Sequence, residues 1–88
     1  MGCDDLTDQL LRRYALAEAL KKVAPTARAR VRSFVLKGED LGPELSRETN
    51  TQIVAHLRQC RRCHSRTIDF DAEFDVAVDE AVQIMRRE

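Results

Sequence analysis

Both histidines and two of the three cysteines lie in one short stretch, His56-Leu57-Arg58-Gln59-Cys60-Arg61-Arg62-Cys63-His64. His56 and Cys60 are four positions apart, and Cys60 and Cys63 are three apart. If a helix carries His56 and ends near Cys60, these three side chains line up on one side of its last turn. Imidazole and thiolate are the ligands that zinc prefers, and C-x-x-C is a usual spacing of zinc ligands. The stretch therefore predicts a metal site at the end of a helix.

Size and composition predict a single small helical domain around this stretch. A chain of 88 residues is near the lower limit at which one hydrophobic core suffices, so a metal, a disulfide or a partner often adds stability. Three glycines, two prolines and few runs of β-branched residues favour helix over strand. The 15 basic residues balance 15 acidic ones, so no overall field attracts nucleic acid, and we expect no direct nucleic-acid binding.

The sequence also predicts a cytoplasmic protein that does not associate with a membrane. No apolar run approaches the length of a membrane span, and no charged-then-apolar leader is visible at the start of the sequence. An odd number of cysteines, three, without such a leader suggests a reducing compartment. There, clustered cysteines more often serve metal or redox chemistry than structural disulfides.

Apolar periodicity predicts an all-α fold with four helices in one domain, residues 1–88. The first helix is expected over about 5–24, where Pro25 stops it. A second, shorter helix is expected over about 27–37, with Thr26 as its cap and Gly38 just beyond its end. Their apolar faces comprise Leu6, Leu10, Leu11, Tyr14, Leu16, Ala17, Leu20 and Val23 in the first helix, and Ala27, Val31, Phe34 and Val35 in the second.

The third predicted helix leads into the stretch of residues 56–64, and the fourth follows it. Ser46 is a good N-cap for a helix over about 47–61. The last helix is expected over about 67–87, with acidic residues along its exposed face and Arg86 and Arg87 at its end, an order that suits the helix dipole. Its apolar stripe consists of Phe70, Phe74, Ala77, Val78, Ala81, Ile84 and Met85.

A structural zinc ion requires a fourth protein ligand besides His56, Cys60 and Cys63. Cys3, carried by the first helix, and His64 are the two candidates. Adjacent ligands such as Cys63 and His64 are awkward to place around a tetrahedral ion, so Cys3 is the better candidate. Nearby arginines are expected to lower the thiol pKa values and favour thiolates; they are Arg58, Arg61, Arg62 and Arg66.

Two other interpretations of the stretch are open. Cys60-Arg61-Arg62-Cys63-His64 matches the C-x-x-C-H sequence of c-type haem attachment, in which Met1, His56 or Met85 would be the second axial ligand. Alternatively the cluster is inert, with Cys60 packing as a small apolar residue and His56 half-buried on its helix. No Ser/His/Asp set or pair of carboxylates stands out from the solvated charges, so we expect no enzymatic activity.

The helical context of the motif carries a resemblance to a known family. Glu44-Leu45-Ser46 precedes Ile53-Val54-Ala55-His56-Leu57-Arg58-Gln59-Cys60-Arg61-Arg62-Cys63. This arrangement resembles the zinc-binding anti-sigma factor domain, whose hallmark is H-x-x-x-C-x-x-C, over roughly residues 34–74. The resemblance implies that His56, Cys60 and Cys63 are zinc ligands. The family carries its first ligand on the helix before the loop, where residues 28–32 of this chain offer none.

The resemblance implies a domain that holds an extracytoplasmic-function sigma factor away from RNA polymerase. In redox-sensing members of the family, oxidation of the cysteines expels zinc and releases the sigma factor. We therefore expect a regulator of transcription that binds a protein partner, with the acidic last helix meeting a basic partner surface. The residues alone leave a metal-free, self-associating helical module open as well, such as a homodimer that buries the apolar stripe of residues 6–23.

Overall fold

The chain folds into helices without strands over Met1–Arg87, the residues that the computed structural model describes. The predicted all-α class with four helices is confirmed for this part of the chain. Short 3₁₀ turns at Cys3–Asp5 and Pro25–Ala27 precede the first two helices. The four α-helices are α1 (Asp8–Leu20), α2 (Arg28–Leu36), α3 (Arg47–Gln59) and α4 (Arg61–Arg87).

The first helix is shorter at both ends than the predicted 5–24. It begins at Asp8 because Thr7 is its N-cap, whose Oγ1 accepts a hydrogen bond from the Leu10 amide at 3.2 Å. It ends at Leu20, well before Pro25. After Leu20 the backbone tightens, since the Val23 amide bonds the Leu20 carbonyl at 3.0 Å. The Arg28 guanidinium also donates to this carbonyl at 3.0 Å and to those of residues 21 and 23.

The second helix begins without the cap that was predicted for it. Thr26 lies inside the 3₁₀ turn, and the N-cap position falls on Ala27, whose side chain cannot accept a hydrogen bond. The predicted end is close to the observed one: Lys37 and Gly38 both adopt positive φ angles, of 51° and 88°. The left-handed backbone here stops the helix, as glycine beyond a C-terminus commonly does.

The last helix begins at Arg61, six positions before the predicted start at 67. Only Cys60 separates α3 from α4, in an extended conformation with φ −117° and ψ 103°. Its amide still bonds to the His56 carbonyl at 2.9 Å, and its carbonyl accepts the His64 amide at 3.0 Å. The 27 residues of α4 make a rod of about 40 Å, close to the longest dimension of the molecule, 43 Å.

Buried side chains form two groups along α4. The larger group lies where α1 and α2 pack against the middle and C-terminal part of α4; it comprises Ala15, Leu16, Leu20, Val23, Val31, Leu41, Phe74, Val78 and Ala81. The smaller group lies under the α3–α4 junction and comprises Leu6, Leu11, Ile53, Leu57 and Cys63. The predicted metal stretch therefore sits directly over the smaller core.

Candidate metal centre

Three side chains of the stretch of residues 56–64 meet a fourth, from the N-terminus of the chain, beside the α3–α4 junction. The ligand atoms of Cys3, His56, Cys60 and Cys63 all lie within 4.8 Å of one another. They come from the N-terminal 3₁₀ turn, the last turn of α3, the junction itself and the first turn of α4. The structure thus brings together the three ligands predicted from the motif and the favoured fourth candidate.

Local helix geometry accounts for three of the four positions. His56 lies in the last turn of α3, and Cys60 follows the helix directly, with its amide still bonded to the His56 carbonyl one turn back. The extended backbone at Cys60 lets α4 start in a new direction, and Cys63 turns back towards the junction from its first turn. Cys63 has no exposed surface, so its thiol is fixed by the small core that surrounds it.

Cys3 reaches the centre because the N-terminal turn is held against the small core. Leu6, three residues later, is 1% exposed and packs with Leu11 and Ile53. The Gly2 amide donates a hydrogen bond to the Asp5 carboxylate at 2.9 Å, which closes the turn around Cys3. Cys3 itself stays exposed. Its sulfur lies 3.4 Å from that of Cys60 and 3.5 Å from Nε2 of His56.

The orientation of the His56 ring is set by a main-chain group. Its Nδ1 lies 3.1 Å from the carbonyl oxygen of Met1, and a carbonyl only accepts, so Nδ1 carries the proton. In the neutral tautomer that this contact selects, the nitrogen facing Cys3 is Nε2, the acceptor. An acceptor on the far ring nitrogen is the usual arrangement for a metal-binding histidine, since it fixes the tautomer and orients the ring. No signal in the sequence could have shown this contact.

Hydrogen bonds inside the cluster separate the pKa values of two thiols. The pKa of Cys60 is lowered to about 6, mainly because the Cys63 backbone amide donates to its sulfur and also because the Cys3 thiol does. The pKa of Cys3 is raised to about 11, first by its hydrogen bond to Cys60. These bonds, rather than the neighbouring arginines that we expected, are the main causes. The centre thus favours a thiolate at Cys60, the form in which cysteine binds metal.

The spacing of the cluster suits a tetrahedral zinc ion after shifts of about 1 Å or less in the ligand separations. With Zn–S near 2.3 Å and Zn–N near 2.05 Å, ligand atoms at tetrahedral angles lie about 3.8 Å apart for two sulfurs and about 3.6 Å apart for sulfur and nitrogen. The Cys3 distances of 3.4 and 3.5 Å are already close to these values. The widest separation allowed in the group, 4.8 Å, would have to shorten by about 1 Å.

His64, the less favoured fourth candidate, is not part of the group. One residue along a helix rotates the side chain by about 100°, so His64 points away from Cys63 and lines an open pocket with Tyr14 and Arg61. This placement also separates the members of the C-x-x-C-H sequence. Cys60 and Cys63 face Cys3 and His56, whereas His64 faces a different side of α4.

Comparisons with protein-family models, curated proteins and solved structures found no match for this chain. In the part of the chain that the structure describes, no helix is both long enough and apolar enough to cross a membrane.

Proposed function

We propose that Cys3, His56, Cys60 and Cys63 bind one zinc ion that stabilises the fold, and that the domain so formed binds and sequesters a protein partner. The convergence of these four ligand atoms within 4.8 Å carries the metal part of the proposal. Three thiolates and one imidazole are a usual ligand set of structural zinc sites. Four protein ligands leave no open position for substrate, so the ion would have a structural role.

The ion would connect parts of the chain that share little other contact. α1 packs closely against α4, whereas α3 is joined to the rest mainly through the small core and the junction. A metal held by Cys3, His56 and Cys63 would tie the N-terminal turn, α3 and α4 together. Because the ligands come together only in the folded chain, the free energy of metal binding would add to the free energy of folding.

The partner that we propose is an extracytoplasmic-function sigma factor. The supporting observation is the resemblance of residues 34–74 to zinc-binding anti-sigma factor domains, together with a ligand set completed by Cys3. The family carries its first ligand on the helix before the loop; Cys3 would take that role here from the N-terminal turn. In this proposal the protein is a non-enzymatic, cytoplasmic regulator of transcription.

The centre would also give the regulator a route to redox sensing. Cys3 and Cys60 have their sulfur atoms 3.4 Å apart, close enough to join after a small movement. Hydrogen peroxide would take two electrons from the two thiols, forming one S–S bond and, with their two protons, two molecules of water. The disulfide would remove two of the four zinc ligands, and the ion would leave.

Metal content provides the first test. Protein purified under reducing conditions is expected to carry one zinc per chain in native mass spectrometry, and Cys60→Ser is expected to lose it. His64→Ala is the matched control and should retain zinc, because His64 lies outside the group. Wild-type protein that takes up no zinc, and whose melting temperature is unchanged by chelator, would contradict the metal part of the proposal.

The partner is tested separately by co-expression with the extracytoplasmic-function sigma factors of the native host. A stable complex that blocks transcription by RNA polymerase in vitro, and that peroxide dissociates together with zinc, is the expected result. If none of these sigma factors co-purifies with the zinc-loaded protein, the sigma-factor proposal is wrong, whatever the metal content.

A further inference from the structure

A groove of about 540 Å³, lined by both apolar and charged side chains, runs between α2 and α4, away from the metal centre. Its floor is apolar and includes Val35, Phe74 and Ala77. Phe34 and Ile84 stand on its two walls and are 39% and 41% exposed. Both side chains belong to the apolar stripes that the periodicity assigned to the core, yet the fold leaves them at the surface.

The core is complete without these two side chains. Val31 on α2 and Val78 and Ala81 on α4 are at most 1% exposed and fill the space where the two helices meet. Phe34 and Ile84 lie at the margin of that contact, where the groove keeps them apart. Two large apolar side chains facing each other across a groove are typical of a site for another apolar element.

The shape of the groove suits an α-helix. From Glu73 to Ile84 its α4 wall spans 11 positions, which corresponds to about 16 Å or three helical turns. One end is closed by Arg12, which lies 5.5 Å from the centre of the Phe74 ring and donates to Glu39 at 2.7 Å. A helix of about three to four turns could lie along α4 with apolar residues at i, i+4 and i+7 directed into the groove.

The charges along the α4 wall favour a basic occupant. Glu73 and Glu80 line it seven positions apart, so they lie on the same face of α4. Arg12 pairs with Glu39 and its charge also interacts with that of Glu73, while Lys37 lies on the opposite wall, so Glu80 is the main anionic contact for an occupant. An occupant with arginine or lysine beside its apolar face would meet this carboxylate.

We infer that the α2–α4 groove is a docking site for one amphipathic, basic α-helix of the partner protein. The inference deepens the proposed function and rests on it in one respect: it takes the partner to be the protein that the domain sequesters. The helix would insert apolar side chains between Phe34 and Ile84 and place a basic residue at Glu80. Because the groove lies away from Cys3, His56, Cys60 and Cys63, binding there needs no metal ligand.

The test uses a synthetic helical peptide of about 15 residues, with leucines at i, i+4, i+7 and i+11 and arginines flanking them. A matched peptide carries glutamates in place of the arginines. Binding to the zinc-loaded full chain is measured by fluorescence polarisation. The arginine peptide is expected to bind at least about tenfold more tightly than the glutamate peptide, with a preference that decreases as salt is added.

Variants locate the site. Ile84→Glu is expected to weaken binding of the arginine peptide at least about tenfold, because it puts a charge into the apolar part of the groove. Ile68→Glu is the matched control, since Ile68 is on the same helix, is 50% exposed and does not line the groove. Glu80→Lys should weaken binding and reverse the preference between the peptides, whereas Glu44→Lys, in the loop before α3, should not. Melting curves verify that each variant is folded.

The outcomes separate this inference from the sigma-factor proposal. Peptide binding that Ile84→Glu abolishes and Ile68→Glu spares supports the groove, even if no sigma factor binds the protein. No binding, or equal loss in both isoleucine variants, overturns it. A sigma factor that still binds the Ile84→Glu protein with unchanged affinity overturns the groove as the partner site and leaves the proposed function standing. A homodimer that Ile84→Glu dissociates in sedimentation experiments would assign the groove to a second copy and overturn the inference.

Discussion

Replacing Cys3 by serine should separate metal-linked stability from the intrinsic stability of the fold. Cys3 is exposed, so its sulfur contributes little to packing, and the variant should unfold much like the wild type when chelator removes metal. With zinc present the two proteins should differ, because of the four proposed ligands the variant would keep only His56, Cys60 and Cys63. The quantity to compare is therefore the gain in free energy of unfolding that zinc gives to the wild type and to the Cys3→Ser variant.

The size of the effect follows from mass action. At a free zinc concentration 100 times the wild-type dissociation constant, binding to the folded state adds about 2.7 kcal/mol to the free energy of unfolding. Loss of an outer-shell partner alone weakens metal binding 10- to 100-fold, so loss of a direct ligand should weaken it at least about 100-fold. The Cys3→Ser variant would then gain only about 0.4 kcal/mol. For a domain of this size the gap corresponds to roughly 10–18 °C in melting temperature.

Thermal and urea unfolding, followed by circular dichroism under reducing conditions, measure these quantities. Wild type, Cys3→Ser and His64→Ala are each unfolded in a zinc buffer and in chelator. We expect His64→Ala to gain as much stability from zinc as the wild type does, because its imidazole lies outside the group.

Two results would refute the reasoning. If Cys3→Ser and wild type gain equally from zinc, Cys3 is not a ligand and the closeness of its thiol to His56 and Cys60 has no role in metal binding. If Cys3→Ser is already destabilised by more than about 1 kcal/mol in chelator, its thiol contributes to the metal-free fold, contrary to its exposure; a surface substitution usually changes stability by less than about 0.5 kcal/mol.

Three further predictions concern the fold. Ser46→Ala should lower the free energy of unfolding by about 1 kcal/mol, because the Ser46 hydroxyl accepts the Thr49 amide at 3.1 Å; Ser65→Ala, at an exposed position inside α4, should not lower it in the same urea titration. Ile53→Ala should cost about 2–5 kcal/mol and Ile53→Val about 0.5–1.5 kcal/mol, since Ile53 is fully buried in the small core, and equal costs would contradict this packing. Asp71 is exposed, but partial desolvation of its carboxyl, followed by the charge of Glu18, raises its pKa, so its ionisation favours the unfolded chain and stability should fall slightly as the pH rises through that pKa. Asp71→Asn should therefore be more stable than wild type at neutral pH, by up to about 0.5 kcal/mol, and the advantage should disappear below about pH 3. A variant that is less stable than wild type at neutral pH would contradict this reasoning.

Local features of the sequence predicted the helices well and their ends less well. Ser46 is the N-cap that was expected, because capping depends on a side chain that accepts a bond from an amide three residues later. The end of α1 was missed because Arg28 bonds its carbonyls from eight positions away. The start of α4 was missed because a single extended residue, Cys60, is enough to change the direction of the helix.

The sequence by itself determined the all-α class and three members of the centre, His56, Cys60 and Cys63. These positions are three or four residues apart, and helix geometry converts such spacing directly into proximity. Their imidazole and thiol groups likewise follow directly from the residue types.

Only the tertiary structure decided which side chain joins His56, Cys60 and Cys63 and which apolar side chains stay outside the core. Cys3 is 53 positions from His56, and its place depends on how Leu6 packs under α3 and how α1 lies along α4. The contact between the Met1 carbonyl and His56 cannot be predicted from the apolar periodicity of the sequence. Phe34 and Ile84 match the apolar pattern of the core, but the volume between α2 and α4 is already filled, so the fold leaves them facing a groove.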